Sequence, residues 1–214
     1  THFARADEAD GEARTREQAE RYFALLGRAR TLGANLSVRH ICNSAASLRF
    51  PEYHLDICRL GVLLYGAEPS GMFDFGVRPV MRLCAKLSQV HTLRAGEQLS
   101  YGGTFTAKTD MRIATLPIGY ADGFIRAYSG ARAVIRTADG KLLGDARVIG
   151  RICMDQCMID LGDIDAHTGD TAVLIGEPGQ LDALAALAGT INYECLCLIS
   201  ARVPRLVRDP GAAF

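Results

Sequence analysis

The sequence predicts two parts of different character: an α/β segment over residues 1–75 and a mainly β domain over residues 76–214. Three observations lead there. A helical stripe is followed by short apolar segments that alternate in kind as far as Tyr65. Pro69, Gly71 and Gly76 then interrupt the chain. Beyond them the apolar runs are short, separated by Gly or Asp, and only one is helical in pattern.

In the first part, residues 15–32 carry the helix signature. Thr15 followed by Gln18 has the spacing of a capping box, and Tyr22, Phe23, Leu26 and Ala29 form an apolar stripe that stops at Gly33. Leu36, Val38 and His40 alternate as a strand does, Ser44 to Leu48 reads as a short helix, and the apolar segment Leu55 to Tyr65 is interrupted by Arg59 and Gly61. In the second part Met81, Leu83, Ala85 and Leu87 alternate. Ile113–Ile118, Ala131–Ile135, Val148–Ile159 and Thr171–Ile175 read as strands, and Leu181–Ala188, closed by Gly189, reads as the one helix.

Composition bounds the function. Apolar residues make up 49% and charged residues 22%, the balance of a soluble globular protein. Twenty-four basic residues offset twenty-four acidic ones, so no global field gathers nucleic acid or an anionic membrane surface. Seven cysteines, an odd number, fall partly inside apolar runs (Ile41-Cys42, Ile57-Cys58, Leu83-Cys84). That pattern predicts buried free thiols and a cytoplasmic location. The apolar runs break well before the ~18 residues a membrane span needs, and no basic-then-apolar leader opens the chain. Cys153, Cys157, Cys195 and Cys197 suit strand packing as well as a metal cluster. No histidine completes a zinc spacing, and no metal is expected.

The chemistry-bearing stretch is Leu99-Ser100-Tyr101-Gly102-Gly103-Thr104-Phe105. Two glycines directly after a tyrosine let the backbone turn sharply and leave the phenol projecting from a rim, although a hairpin with an edge aromatic has the same residues. Further motifs accompany it: Arg151-Ile152-Cys153-Met154-Asp155-Gln156, Pro117-Ile118-Gly119-Tyr120-Ala121-Asp122-Gly123, Asn192-Tyr193-Glu194, His2-Phe3-Ala4-x-Ala6-Asp7, Asn43-Ser44-Ala45-Ala46 and Arg59-x-Gly61. In this order and spacing they resemble alanine racemases, from Thr1 to about Arg205.

The resemblance implies the C-terminal part of an alanine-racemase-type (β/α)8 TIM barrel followed by a mainly β domain. It also implies pyridoxal 5'-phosphate as cofactor, interconversion of L- and D-alanine for peptidoglycan, and a homodimer whose active sites are composite. Racemisation removes a proton from one face of the α-carbon and returns one to the other, so two bases are natural. By similarity Tyr101 is the base for the L-enantiomer, activated through His2 and Arg59. A tyrosine ordinarily titrates near 10 and needs neighbouring donors or positive charge to act as a base. Arg59 would face the cofactor's pyridine nitrogen. An arginine cannot take up that proton, which disfavours transamination; outside the family a salt-bridged arginine is the plainer reading. Ser44, Gly61, Val62 and Tyr193 match phosphate ligands, with Asn43 in the same shell; Ser44 equally suits an ordinary N-cap. Met154 matches the residue whose backbone amide holds the substrate carboxylate. Cys153, Asp155 and Tyr120 match the substrate side. His40, His54, His91 and His167 are expected to be structural or solvent-facing.

The family's cofactor lysine, in a motif of the type V-K-A-N-A-Y-G-H-G, is not in this chain; Lys86, Lys108 and Lys141 lie in other contexts. A whole barrel takes about 250 residues. The chain is therefore expected to be part of a longer one and inactive by itself. Two other readings remain: a serine racemase of the vancomycin-resistance type, against which Tyr193 counts because some of those relatives carry a smaller residue there, and a non-catalytic remnant kept for dimerisation.

Overall fold

A computed structural model describes residues 1–207 and divides the chain into two units, Thr1–Val80 and the part from Met81 onward. The first unit is built on helix α1 (Glu12–Thr31). It starts earlier than the capping-box spacing suggests, with Gly11 as N-cap. The hydroxyl of Thr15 instead donates to the Gly11 carbonyl one turn back (2.8 Å). Gln18 is spent on the N-terminal segment, accepting from the Ala4 amide (3.1 Å) and donating to the His2 carbonyl (2.7 Å). The inward stripe runs Thr15, Ala19, Tyr22, Leu26, Ala29, at helical spacings of four and three, and Phe23 lies off it.

Helix α2 (Ser44–Arg49) is capped by Asn43, whose side chain accepts from the Ala46 amide (2.9 Å). Ser44 is therefore the first helical residue and not the N-cap. Phe3, Ala6, Ala19, Ile41, Cys42, Ala45, Ala46 and Phe50 form this unit's apolar cluster.

The alternation at Leu36, Val38 and His40 does not become a strand. A parallel ladder needs evenly spaced bonds, whereas this segment makes two to its neighbour: Asp56 amide to Arg39 carbonyl (3.2 Å) and Arg59 amide to Cys42 carbonyl (3.1 Å). The Arg39–Asp56 ion pair holds the same two segments together (2.8 Å). The stretch from Leu55 is likewise no strand; it ends in a 3-10 turn, Val62–Tyr65.

The second unit is a curled antiparallel sheet. Its strands are β1 (Leu83–Lys86), β2 (Gln89–Leu93), β3 (Gln98–Leu99), β4 (Phe105–Thr106), β5 (Met111–Leu116), β6 (Arg132–Arg136), β7 (Leu142–Ile149), β8 (Cys157–Asp160) and β9 (Thr171–Ile175). Seven form one sheet in the order β1-β9-β6-β7-β8-β5-β2, and β3 pairs with β4 apart from it. The apolar stretch Val148–Ile159 is not one strand. It is the end of β7, a loop over 150–156, and β8: Ile152 still points into the core, but the backbone of Cys153 and Met154 bonds to Gln156 and to the 119–122 turn instead of to a neighbouring strand. The sheet's inner face carries Leu116, Ile135, Ile159 and Leu174, all without exposed surface. At roughly 1.5–3 kcal/mol per fully buried large aliphatic side chain, such positions dominate the unit's stability.

Helix α3 (Gln180–Ala188) covers this face with Leu184 and Ala185. A second helix, α4 (Asn192–Leu198), follows where the sequence shows no clear helical run, and it buries Cys195. Among the described residues no single helix is long and apolar enough to cross a membrane; α3 and α4 pass that test only as a pair bent by 90°.

Candidate active site

The expected site residues fall into two groups, one in each unit. In the first unit Arg59 is the hub. Its Nη2 donates to the Thr1 carbonyl (2.9 Å), the Ile41 carbonyl (3.2 Å) and His2 Nδ1 (3.1 Å). Its Nη1 bonds His40 Nδ1. In a neutral His2 ring that acceptor role leaves the proton on Nε2. Nε2 lies 3.4 Å from Asn43 Nδ2, which donates to the Phe3 carbonyl (3.2 Å). Arg59 and His2 are thus one hydrogen-bonded cluster; with the proton on Nε2, the Asn43 amide nitrogen, itself only a donor, touches that ring without bonding it and is tied in through the Phe3 carbonyl instead. His40 belongs to it as well, holding the other terminal guanidinium nitrogen of Arg59.

Ser44 and Gly61 meet beside this cluster. Buried Ser44 Oγ accepts from the Gly61 amide (2.9 Å). The hydroxyl proton is left to donate elsewhere. Val62 is buried at the start of the 3-10 turn. Beneath the cluster lies Cys42, whose thiol burial pushes up to about 12, with neighbouring Cys58 adding to the shift and Arg59 opposing it. It is a protected thiol, not a nucleophile.

In the second unit Tyr101 opens a one-turn 3-10 helix, Tyr101–Gly103, and is 74% exposed. Gly102 (φ 77°, ψ 11°) makes the left-handed turn, and Ser100 also has a positive φ but an extended ψ (φ 60°, ψ 176°), a region rare for a residue with a side chain. Ser100 Oγ accepts from the Arg151 amide (2.7 Å), which ties the Tyr101 turn to the 150–156 loop.

That loop is fixed from its other side. The carbonyls of Cys153 and Met154 accept from the Tyr120 amide (3.1 Å) and the Ala121 amide (3.0 Å), and the Cys153 amide donates to Gln156 (2.8 Å). The approach is so close that a Cβ on Gly119 would stand 2.3 Å from the Cys153 carbonyl oxygen, so only glycine serves there. Among the described residues no peptide is cis, and in a trans peptide the N–H points opposite to its C=O. Both carbonyls face the 119–122 turn, so the amides of Met154 and Asp155 point away from it side by side, the donor pair that suits an anion. The exposed side chain of Met154 plays no part in that. Asp155, Tyr120 and half-buried Cys153 surround the same loop.

Tyr193 is half-buried on the first turn of α4. Cys84, expected inside, is exposed because it alternates with buried Leu83 onto the outer face of β1; Cys42, Cys157 and Cys195 are the buried thiols. Asp122 and Arg202 had no assigned role, yet Asp122 accepts from the Gly119 amide (2.9 Å) and from Arg202 Nε (2.6 Å). Asp122 lay inside a motif already singled out; Arg202 had only its type as a signal. Among the described residues no group of three or more His, Cys, Asp or Glu is placed to hold a metal ion.

The chain thus pairs an α/β unit that carries the Arg59–His2 contact with a mainly β unit that carries a Tyr-Gly-Gly turn, a two-domain α/β-plus-β class. The family model for the N-terminal domain of alanine racemase matches residues 1–69, and that for its C-terminal domain matches residues 80–207. The chain belongs to the alanine racemase family. It is 44% identical to the alanine racemase of Desulfovibrio desulfuricans and 42% identical to that of Desulforamulus reducens, covering 96% of this chain and 55% of each relative. The structure of the Clostridium difficile 630 alanine racemase in complex with cycloserine matches with a TM-score of 0.85 and 39% identity, over 95% of this chain and 54% of that one. The Bacillus anthracis enzyme with bound L-Ala-P matches with a TM-score of 0.86 and 33% identity, over the whole of this chain and 55% of that one. The chain thus spans about half the length of the relatives it matches.

Proposed function

We propose that this chain is part of a pyridoxal-phosphate-dependent alanine racemase, working as a homodimer in which Tyr101 and Met154 serve the barrel of the partner subunit. The observation that carries the proposal is the Arg59–His2 cluster with the Ser44–Gly61 pair beside it. The donor set fits the cofactor: a guanidinium already anchored on two carbonyls for the pyridine nitrogen, and the Ser44 hydroxyl proton with the backbone at Gly61 and Val62 for the phosphate. Tyr193 joins the phosphate ligands. When bound, pyridoxal phosphate supplies an electron sink for the charge developing at the α-carbon.

The chain's residues then divide the work. Arg59 donates to the ring nitrogen and cannot protonate it, which favours return of a proton to the α-carbon. His2, oriented by Arg59, relays that positive charge towards Tyr101, whose phenol oxygen takes the α-proton from L-alanine. The adjacent amides of Met154 and Asp155 receive the substrate carboxylate. Tyr120, Cys153 and the Asp155 side chain flank its entry. Cys42, Cys157 and Cys195 are buried thiols, a pattern that supports a reducing, cytoplasmic setting. Relatives named alanine racemase favour this reading over a serine racemase or a non-catalytic remnant.

The test is Tyr101→Phe in the complete, cofactor-loaded gene product. Solvent-deuterium incorporation into L-alanine should fall roughly 10²- to 10⁴-fold. A wild-type rate in that variant would remove Tyr101 from the mechanism.

A further inference from the structure

Loops that present backbone donors need something to hold them, and here the backbone bonds between 119–122 and 150–156 are joined by one side chain. Arg202 Nε donates to Asp122 Oδ1 (2.6 Å) and its Nη2 donates to Asp155 Oδ1. The other Asp122 oxygen accepts from the Gly119 amide (2.9 Å). The Asp122 carbonyl in turn accepts from the Ser200 amide (2.9 Å), which places Arg202 at this spot from its own segment. The two ends of the bridge differ. The Asp122 side chain is 11% exposed, that of Asp155 54%. A buried carboxylate stripped of a cationic partner is costly, whereas an exposed pair contributes little by itself. The buried end therefore anchors Arg202, and the fork of its guanidinium restrains the exposed end, next in the chain to Met154.

We propose that Arg202 is a positioning residue for substrate: by clamping Asp155 to the buried Asp122 it sets the direction of the paired Met154 and Asp155 amides and so the affinity for the amino acid's carboxylate. It touches no reacting atom. The inference rests on the racemase reading for the identity of the substrate, but the clamp itself concerns any small carboxylate that uses these amides.

In the complete, cofactor-loaded protein, Arg202→Ala should raise KM for alanine in both directions roughly three- to tenfold while kcat stays within about twofold. Competitive inhibition by propionate, a carboxylate without the amino group, should weaken by the same factor. Arg202→Lys keeps a charge but cannot bridge two carboxylates as a fork, and should recover part of the loss. Asp155→Asn should reproduce the KM effect, and the double variant Arg202→Ala/Asp155→Asn should add little to either single one. A merely structural arginine would instead lower thermal stability and kcat with KM unchanged, and that result overturns the proposal. So does unaltered propionate inhibition in the folded Asp155→Asn variant. Propionate binding followed by calorimetry needs no turnover: weaker binding in Arg202→Ala supports the clamp even if the wild-type protein does not racemise alanine, an outcome that would overturn the functional reading alone.

Discussion

Residues 1–80 are ordered around polar side chains, whereas the unit from Met81 onward is ordered around a sheet. In the first, the guanidinium of Arg59, the amide of Asn43 and the amide of Gln18 each satisfy carbonyls or rings that regular structure leaves open. In the second, backbone ladders do that work and side chains are free to pack: β9 is buried at every position. Order that depends on a few side chains is easily removed one residue at a time. Order that depends on a ladder yields only when its core is opened.

Thiol chemistry gives the largest expected contrast. Burial pushes Cys42 in the first unit and Cys157 in the second up to about 12, from an ordinary 9.0. Scarcity of thiolate alone should slow their alkylation about a thousandfold relative to an ordinary exposed thiol. Since burial pushes both thiols up, the order in which they react reports which unit opens first. Mass-spectrometric mapping should find Cys42 alkylated before Cys157, and the reverse order would contradict the contrast drawn here.

Core truncation sharpens the same point. Ile135 and Ile41 both have no exposed surface. Ile135→Ala should cost about 3–5 kcal/mol, since the sheet around it cannot collapse, and Ile41→Ala about 2 kcal/mol within its smaller cluster. Hydrogen-exchange protection of the β6 and α2 amides measures each separately. Equal losses would mean that the first unit is as rigidly packed as the second.

The smallest effect lies at low pH. Asp56 is held below the usual carboxylate range by its hydrogen bonds to the Arg39 side chain and amide. A depressed folded-state value contributes stability that is present above the unfolded aspartate range, near 4, and is lost as pH falls through the folded value. NMR titration should place the Asp56 midpoint below that of an ordinary aspartate, and Asp56→Asn should flatten the acid limb of the first unit's stability curve. A midpoint in the ordinary range would detach the Arg39–Asp56 pair from the unit's order.

The two regions also differed in how much the sequence revealed. Short apolar runs set off by Gly or Asp located β5, β6 and β9, whose side chains are largely buried, and alternation located β1. Alternation misled at Leu36–His40, where the pattern is present but only two backbone bonds form to the neighbouring segment. It missed α4, whose short run is set by what it covers. Tyr101, His2, Asn43, Ser44 and Arg59 were legible as motifs. The Asp122–Arg202 bridge was not, although Asp122 lay inside a motif, since a contact between residues 80 positions apart leaves no local pattern. Asn43 illustrates a middle case: its type marks it as a cap, but only the fold shows that the same amide also holds the Phe3 carbonyl, next in the chain to His2.

A group supplied by the main chain cannot be deleted by replacing the residue that bears it. Whatever side chain stands at 154, its amide and that of the next residue remain in place. Drift at those positions is therefore harmless to the donor pair, and the vulnerability moves to Gly119, where one added methyl would meet the Cys153 carbonyl oxygen at 2.3 Å. Under selection, such a site would conserve a glycine that faces no ligand more strictly than the residue that does.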